Sequence, residues 1–199
     1  MLNTRSKLPK LRRADARRTE ILEGALTAMR DHGLHRAGMR DIARAAGLST
    51  GNLYYYFRNK QELVYACQDR ALDRLLDVLD SARDRPDAGE QLGALIEGHL
   101  QVVMSGGASL HLDLDDLPKP LFKKIVQKRD KYERGVRDLI AEGQRQGMVR
   151  SGEPKLQAFA LLGALNWVAR WYRPGQGDPA EIIYSFRDQL LRGLLWQRT

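Results

Sequence analysis

The sequence predicts an all-α protein in which a small N-terminal helical unit is followed by a larger helical unit. From residue 17 onward, apolar residues recur at helical spacing, and alternating strand-like runs are nearly absent. Breaks such as Arg85-Pro86-Asp87 and Arg173-Pro174-Gly175 separate stretches of helical length. With 199 residues and 43% hydrophobic content, the chain can bury a sizeable core in one or two domains.

The first helix is predicted over 17–32 and ends at Gly33. Its apolar positions form one stripe: Ile21, Leu22, Ala25, Leu26 and Met29. The preceding residues, 1–16, are basic and mostly polar and contain Pro9, so we expect a flexible arm that is disordered or loosely held up to about Arg13.

Two short helices joined by a glycine turn are predicted over 39–60. In the first of them, Ile42, Ala43 and Ala46 fall on one face, which packs inward. Gly47 follows the last helical residue, a position where a left-handed backbone favours glycine. The pattern is typical of a helical corner.

The second short helix begins at a side-chain cap, for which either Ser49 or Thr50 is suited. Leu53 and Phe57 lie four residues apart, so they bury one face. Three consecutive tyrosines cannot all share that face, and at least two of them must point outward: Tyr54, Tyr55 and Tyr56.

These residues suit a helix that lies in a DNA groove. Such a helix needs small residues at its start for close approach to bases, and hydroxyl or cationic side chains that reach phosphates. The first set is Ser49, Thr50, Gly51 and Asn52, and the second is Tyr54, Tyr55, Tyr56 and Lys60. The alternative is an ordinary helical hairpin whose tyrosines pack on a neighbouring domain.

The charge distribution favours DNA binding. Residues 1–60 hold 13 Lys and Arg against 5 Asp and Glu, while the whole chain holds 33 against 25. All of the excess positive charge therefore lies in the N-terminal part, as expected when a polyanion binds at one end of a protein. For the arm itself, contact with DNA and a purely solubilising role remain equally open.

Five further helices are predicted, over 61–83, 90–104, 121–146, 155–172 and 179–196. Residues 111–120 are acidic, contain prolines and are interpreted as a loop or a short helical turn. The single cysteine, Cys67, lies in the apolar register of its helix, which favours a buried structural thiol.

Several protein classes are not supported by the sequence. No apolar run approaches the roughly 20 residues of a membrane span, and no apolar stretch follows the N-terminal cations as in a secretory signal. One cysteine fits a reducing compartment, so we expect a soluble cytoplasmic protein. The four histidines are scattered, and no nucleophilic triad, metal-ligand pair or phosphate loop is present, so we predict no enzyme, metal or cofactor.

The string DIARAAGLSTGNLYYYFRNKQEL closely resembles the helix-turn-helix of the TetR family of transcriptional regulators, and the resemblance extends from about Arg18 through Leu63. It implies a DNA-binding domain over 17–62, after the arm of 1–16, and a helical ligand-binding and dimerisation domain over 63–199. One departure is Met39, where the family often has a threonine that caps the second helix; Arg40 is the candidate to replace its phosphate contact.

Transferred to matching positions, the resemblance divides the DNA contacts into two groups. It implies contacts to base edges from Thr50, Gly51, Asn52 and Tyr54, after the cap at Ser49. It implies contacts to phosphates from Arg40, Tyr55, Tyr56 and Lys60.

The resemblance also implies a homodimer on a near-palindromic double-stranded DNA operator, with an interface formed by the last two helices. The sequence supports this independently, because helix 155–172 is apolar around most of its circumference and must be covered on most sides. The alternative is a helix buried wholly within one subunit.

The resemblance implies a small-molecule effector that binds in the C-terminal domain and lowers DNA affinity. Asn166 and Arg170 are polar residues on an otherwise apolar helix and need partners. These could be a ligand carboxylate, phosphate or thioester carbonyl, or else an interhelical hydrogen bond and an ion pair with Asp113, Asp115 and Asp116. The predicted lining residues are Leu100, Val103, Met104, Phe122, Ile125, Asn166, Trp167, Arg170 and Trp171.

The segment LGALNWVARWYRPG is similar to a stretch found in TetR regulators of fatty acid, sterol or aromatic acid catabolism. This resemblance favours an apolar effector such as an acyl-CoA or a fatty acid. A repressor released by such a ligand is the leading hypothesis, and a ligand-independent or sequence-nonspecific structural DNA-binding protein is the alternative.

Overall fold

The computed structural model describes residues 7–32, 36–105, 114 and 117–195, with side chains for 17–29, 36–105, 114 and 117–195. The described residues contain one isolated antiparallel bridge, between Val149 and Leu195, and no strand, which confirms the predicted all-α fold. The helices are α1 (Lys7–His32), α2 (Met39–Ala45), α3 (Thr50–Tyr56), α4 (Lys60–Arg83), α5 (Ala88–Met104), α6 (Lys119–Arg145), α7 (Pro154–Trp171) and α8 (Pro179–Leu194).

Helix α1 begins at Lys7, ahead of the boundary predicted between arm and helix. Residues 7–16 are therefore helical and not a loosely held arm. The helix tolerates Pro9 because this residue lies in the first turn, where the missing N–H breaks no helical hydrogen bond. Residues 1–6 of the predicted arm lie outside the described part of the chain.

The chain divides into two compact units. The first comprises Met1–Cys67 and Leu112–Pro118, and the second comprises Gln68–His111 and Lys119–Thr199, as far as these ranges are described. Cys67 is buried, and its thiol lies 3.9 Å from the carbonyl oxygen of Leu22 within the first unit. The prediction of a buried thiol is confirmed.

In the first unit, α1 and α2 pack against each other at very close range. A Cβ atom added at Gly24 would lie 2.7 Å from the Cα atom of Ala46 and 2.8 Å from its backbone nitrogen. Backbone atoms cannot rotate away as a flexible side chain would. Glycine at position 24 therefore sets the distance between α1 and the corner that precedes α3.

We predict that Gly24→Ala destabilises the protein by about 1 to 3 kcal/mol, because the new methyl group overpacks this contact. Thermal and urea unfolding measure the loss. Gly51→Ala is the matched control, since this helical glycine of the same unit has no atom within 4 Å of an added Cβ and should not lower the stability measured without DNA. Equal effects of the two substitutions would contradict the close approach.

In the second unit, α5 is the central helix and packs against α6, α7 and α8. Its fully buried side chains include Leu92, Leu95, Ile96 and Leu100. A Cβ at Gly98 would lie 2.5 Å from Val78 of α4, so α4 also passes close to α5. No helix in the described residues is both long and apolar enough to cross a membrane.

Candidate DNA-recognition surface and effector cavity

The corner between α2 and α3 is built by local backbone chemistry. Gly47 has φ +63°, and the N–H of Leu48 donates to the carbonyl of Ala43 at 2.8 Å. The predicted left-handed glycine is confirmed. At the start of α2, the carboxylate of Asp41 accepts a hydrogen bond from the N–H of Gly38 at 3.0 Å. Asp41 therefore caps the helix, which the apolar side chain of Met39 cannot do.

Helix α3 is capped by Ser49, the first of the two predicted candidates. Its hydroxyl oxygen accepts from the N–H of Asn52 at 3.2 Å. Leu53 and Phe57 are completely buried and hold the helix on the unit, as their spacing predicted. The guanidinium of Arg18 lies over the Phe57 ring, 4.6 Å from its centre, and covers one face of this anchor.

The opposite face of α3 is open to solvent. Tyr54 is 50% exposed and Tyr55 is 85% exposed, whereas Tyr56 is half-buried and meets the Tyr55 ring edge-on. The prediction that at least two tyrosines point outward is confirmed. Gly51 and Asn52 are also exposed, and a Cβ added at Gly51 would meet no atom within 4 Å. The start of α3 is therefore free to approach another surface closely.

Several cations precede and follow α3 in the chain. Arg40 on α2 is exposed, while Lys60 at the start of α4 is half-buried and has an interaction partner. Two further exposed cations, Arg44 before α3 and Arg58 after it in the sequence, were not among the predicted contacts. Arg44 is only 3.9 Å from Asp41 and stays largely solvated. Their position in the basic N-terminal segment was the signal that could have identified them.

A cavity of about 230 Å³ lies within the second unit. Three of its lining residues are leucines, whereas the others are polar or charged. The lining residues are Leu72 and Leu75 of α4, His99 of α5, Arg129, Tyr132 and Glu133 of α6, and Leu162 and Asn166 of α7. Four helices thus contribute to one cavity.

A hydrogen-bonded network forms part of the polar lining. His99 Nδ1 is 2.9 Å from the hydroxyl of Tyr132, and His99 Nε2 is 3.2 Å from Asn166 Oδ1. Because the amide oxygen only accepts, His99 Nε2 carries the proton and Tyr132 donates to Nδ1. Burial raises the pKa of Tyr132 well above its usual value, which keeps this phenol protonated as the donor.

A second set of polar contacts joins α6 to α4. Arg129 Nη2 donates to Gln68 Oε1 at 3.4 Å, and burial lowers the pKa of Arg129. Lys128 Nζ lies 2.6 Å from both Asp69 and Asp73. Burial disfavours the charged amine, but the hydrogen bonds and charges of the two aspartates outweigh this effect and raise the pKa of Lys128.

The residues predicted to line an effector site are distributed over several environments. Asn166 lines the cavity and makes the interhelical hydrogen bond that was the alternative to ligand contact. Leu100, Val103, Met104 and Ile125 are buried in the core. Phe122, Trp167, Arg170 and Trp171 are exposed, and none of them lines this cavity. The three aspartates predicted as partners of Arg170 lie outside the described residues.

Sequence reasoning missed most of the cavity. His99 is a buried polar residue that interrupts the apolar stripe of α5, and this interruption was a usable signal. The polar residues of α6 carried no such signal, because α6 is charged along its whole length.

Helices α7 and α8 leave a broad apolar face exposed. On α7, Leu156 is 65% exposed, Phe159 is 50% exposed and Trp167 is 62% exposed, while Ala158, Leu161, Leu165 and Val168 pack inward. On α8, Tyr184 is 70% exposed. Large apolar side chains clustered in this way are unusual on a monomer and mark an interaction surface.

Comparison with known proteins gives matches to two family models. Residues 21–67 match the model described as bacterial regulatory proteins, tetR family, and residues 85–194 match the tetracyclin repressor-like C-terminal domain. The HTH-type transcriptional repressor KstR2 of Mycolicibacterium smegmatis is 32% identical over 179 residues, which cover 84% of this chain and 85% of that protein.

Two solved structures extend the comparison. The TetR family regulator PfmR from Thermus thermophilus has a TM-score of 0.77 at 28% identity and covers 86% of this chain and 97% of its own. AibR, solved in complex with isovaleryl coenzyme A and operator DNA, has a TM-score of 0.74 at 25% identity. The match covers 88% of this chain and 98% of the AibR chain.

Proposed function

Because the chain belongs to the TetR family of transcriptional regulators and is a ligand-responsive DNA-binding regulator, we propose that it represses transcription as a homodimer on a near-palindromic operator. A small apolar or acyl-CoA-like effector bound in the C-terminal unit releases it from DNA. The function depends on binding, and no catalytic step is part of it.

The open face of α3 is the observation that carries the proposal. Leu53 and Phe57 fix one side of the helix, while Gly51, Tyr54 and Tyr55 remain available on the other. Helix-start residues enter a groove most deeply, and hydroxyl groups further along reach the backbone. The proposed base contacts are therefore Thr50, Gly51, Asn52 and Tyr54, and the proposed phosphate contacts are Arg40, Tyr55, Tyr56 and Lys60.

The proposed dimer interface is the exposed face of α7 and α8. A two-fold arrangement would bring Phe159 and Trp167 of both protomers out of water. A Cβ added at Gly163 on the same face would meet no atom within 4 Å, so a partner helix could approach closely there. A symmetric dimer of this kind matches a near-palindromic operator.

The proposal of an acyl-CoA-like effector draws on the cavity and on AibR, which was solved with isovaleryl coenzyme A. Of the nine residues predicted to line the effector site, Asn166 is a lining residue of this cavity. Ligand contacts from the other eight predicted residues remain a proposal.

A thermal-shift screen of acyl-CoAs, fatty acids and aromatic acids tests the effector class, because a ligand that binds only the folded state raises the melting temperature. Compounds that raise it should also displace the protein from its operator in a fluorescence anisotropy assay. If no compound shifts the melting temperature and none displaces the protein, the effector proposal is wrong.

We predict that Arg40→Ala weakens operator binding through the loss of one phosphate contact in each protomer. Each phosphate contact contributes about 0.9 to the magnitude of the slope of log K against log salt concentration. Loss of one contact in each protomer should therefore reduce the magnitude of the slope measured for the dimer by about 2. The matched control is Lys123→Ala, which removes an exposed cation of α6 in the second unit and should leave the slope unchanged. An unaltered slope for Arg40→Ala would exclude its phosphate contact.

A further inference from the structure

Helix α8 carries half of the proposed dimer face, but buried side chains hold only one of its ends. Every residue of α8 is described, and Leu194, the last of them, is the one that is buried. Backbone contacts fix the same end, because the N–H of Arg150 donates to the carbonyl of Leu194 at 2.8 Å. The middle of α8 is therefore held by other contacts.

Arg187, in the middle of α8, lies directly against the backbone of α5. A Cβ atom added at Gly93 would lie 2.8 Å from Nη2 and 2.9 Å from Nε of Arg187, and the three atoms nearest to it all belong to this guanidinium. Gly93 is buried within α5, where alanine would stabilise a helix better than glycine does. The missing methyl group at position 93 is what allows the guanidinium to lie on the helix.

Two carboxylates stand on the same face of α5, on either side of Gly93. Glu97 Oε1 is 2.7 Å from Arg187 Nε, and Glu90 Oε1 is 4.0 Å from Arg187 Nη2. Glu90, Gly93 and Glu97 are spaced three and four residues apart, so they form one row along the helix. This row receives the guanidinium and gives the contact a defined position along both helices.

Helix α5 connects the two halves of the proposed dimer face. It packs against both α7 and α8, whereas α7 and α8 contact each other much less. Between α7 and α8, the ring centres of Trp171 and Phe186 are 6.3 Å apart. A partner protomer that binds α7 and α8 together requires the two helices in a fixed arrangement, and their shared packing on α5 provides it.

We propose that Arg187 is a positioning residue for dimerisation: lying on Gly93 and paired with Glu97, it holds α8 in the free protomer in the position that the partner subunit binds. This inference rests on the proposed function, since it concerns the α7–α8 interface, and it names the residues that prepare one half of that interface. A helix that is already in place loses less conformational freedom on association, which lowers the dissociation constant.

Sedimentation equilibrium of Arg187→Ala tests the proposal. Each dimer loses two ion pairs that are partly solvated, so we expect the dimer dissociation constant to rise by about tenfold. Circular dichroism should show the helix content of the wild type, because the buried side chains of α5 are unchanged. Arg145→Ala is the matched control, because it breaks an ion pair with Glu142 that lies within α6, and it should dimerise like the wild type. An unchanged dissociation constant for Arg187→Ala would overturn the proposal.

Gly93→Ala tests the same contact without changing any charge. The new methyl group displaces the guanidinium of Arg187, so the dissociation constant should again rise by about tenfold. When Gly93→Ala or Glu97→Ala is combined with Arg187→Ala, the double variant should behave like Arg187→Ala alone, because all three substitutions remove one contact. Additive effects would mean that Gly93 and Glu97 do not act through Arg187, and they would overturn the proposal.

Hydrogen exchange separates positioning of α8 from the general stability of the protomer. In a Phe159→Asp background, which disrupts the proposed interface, Arg187→Ala should speed the exchange of amides in the middle of α8 and leave those of α6 unchanged. Equal exchange of α8 with and without Arg187 would overturn the positioning role. A wild-type protein that is monomeric would contradict the proposed interface itself, whereas wild-type dimerisation of Arg187→Ala would contradict this inference alone.

Discussion

Tyr54→Ala should abolish the specific footprint on the operator while the protein remains dimeric. Tyr54 is half-exposed on the open face of α3, so its removal takes away a groove contact without disturbing the buried anchors Leu53 and Phe57. One such contact is worth about 1 to 3 kcal/mol, and a symmetric dimer loses it twice. We therefore expect operator affinity to fall by about 30-fold or more, as measured by fluorescence anisotropy.

The control for this substitution is Phe122→Ala, which removes an aromatic side chain of similar exposure from α6 in the second unit. It should leave operator affinity unchanged. Sedimentation velocity would establish that both variants have the oligomeric state of the wild type. An intact footprint with Tyr54→Ala would mean that the tyrosine face of α3 does not read the operator.

Phe159→Asp should convert the protein to a monomer. Phe159 is 50% exposed on α7 between Leu156 and Trp167, and the proposed interface would bury it in both protomers. An uncompensated charge in an interface costs about 3 to 5 kcal/mol, so two of them should raise the dimer dissociation constant by at least about 1,000-fold. Operator binding at low protein concentration should be lost as a consequence.

The fold of the protomer should survive this change. In a monomer the new carboxylate remains in water, because the face of α7 that carries Phe159 is exposed. Phe122→Asp is the matched control, because it places the same charge at an exposed phenylalanine outside α7 and α8. Sedimentation equilibrium that shows an unchanged dimer with Phe159→Asp would exclude this interface.

The helix-turn-helix could be predicted in detail because its determinants are local. The left-handed turn at Gly47, the cap at Ser49 and the burial of Leu53 and Phe57 follow from short-range backbone chemistry and from helical periodicity. The start of α1 was harder to predict. A polar, basic segment with a proline resembles a flexible arm. A helix tolerates Pro9 in its first turn, but no apolar pattern in this segment indicates the helix.

The cavity could not be predicted in the same way because its walls come from four helices. Leu72, His99, Arg129 and Asn166 are far apart in the sequence and are brought together only by packing. Helix α7 illustrates the difficulty. A helix that is apolar on most sides must be covered on most sides, but periodicity does not distinguish the side that faces a cavity from the side that faces a partner. Trp167, which was predicted to line an effector site, is 62% exposed and is not a lining residue of the described cavity.

The most direct test of the central claim, that the tyrosine-bearing face of α3 reads DNA twice in each dimer, is a nuclease footprint of the wild-type protein across the DNA upstream of its own gene. We predict a single protected site with two half-sites related by a two-fold axis, bound by one dimer. Protection that spreads evenly over unrelated DNA, without a preferred site, would contradict it.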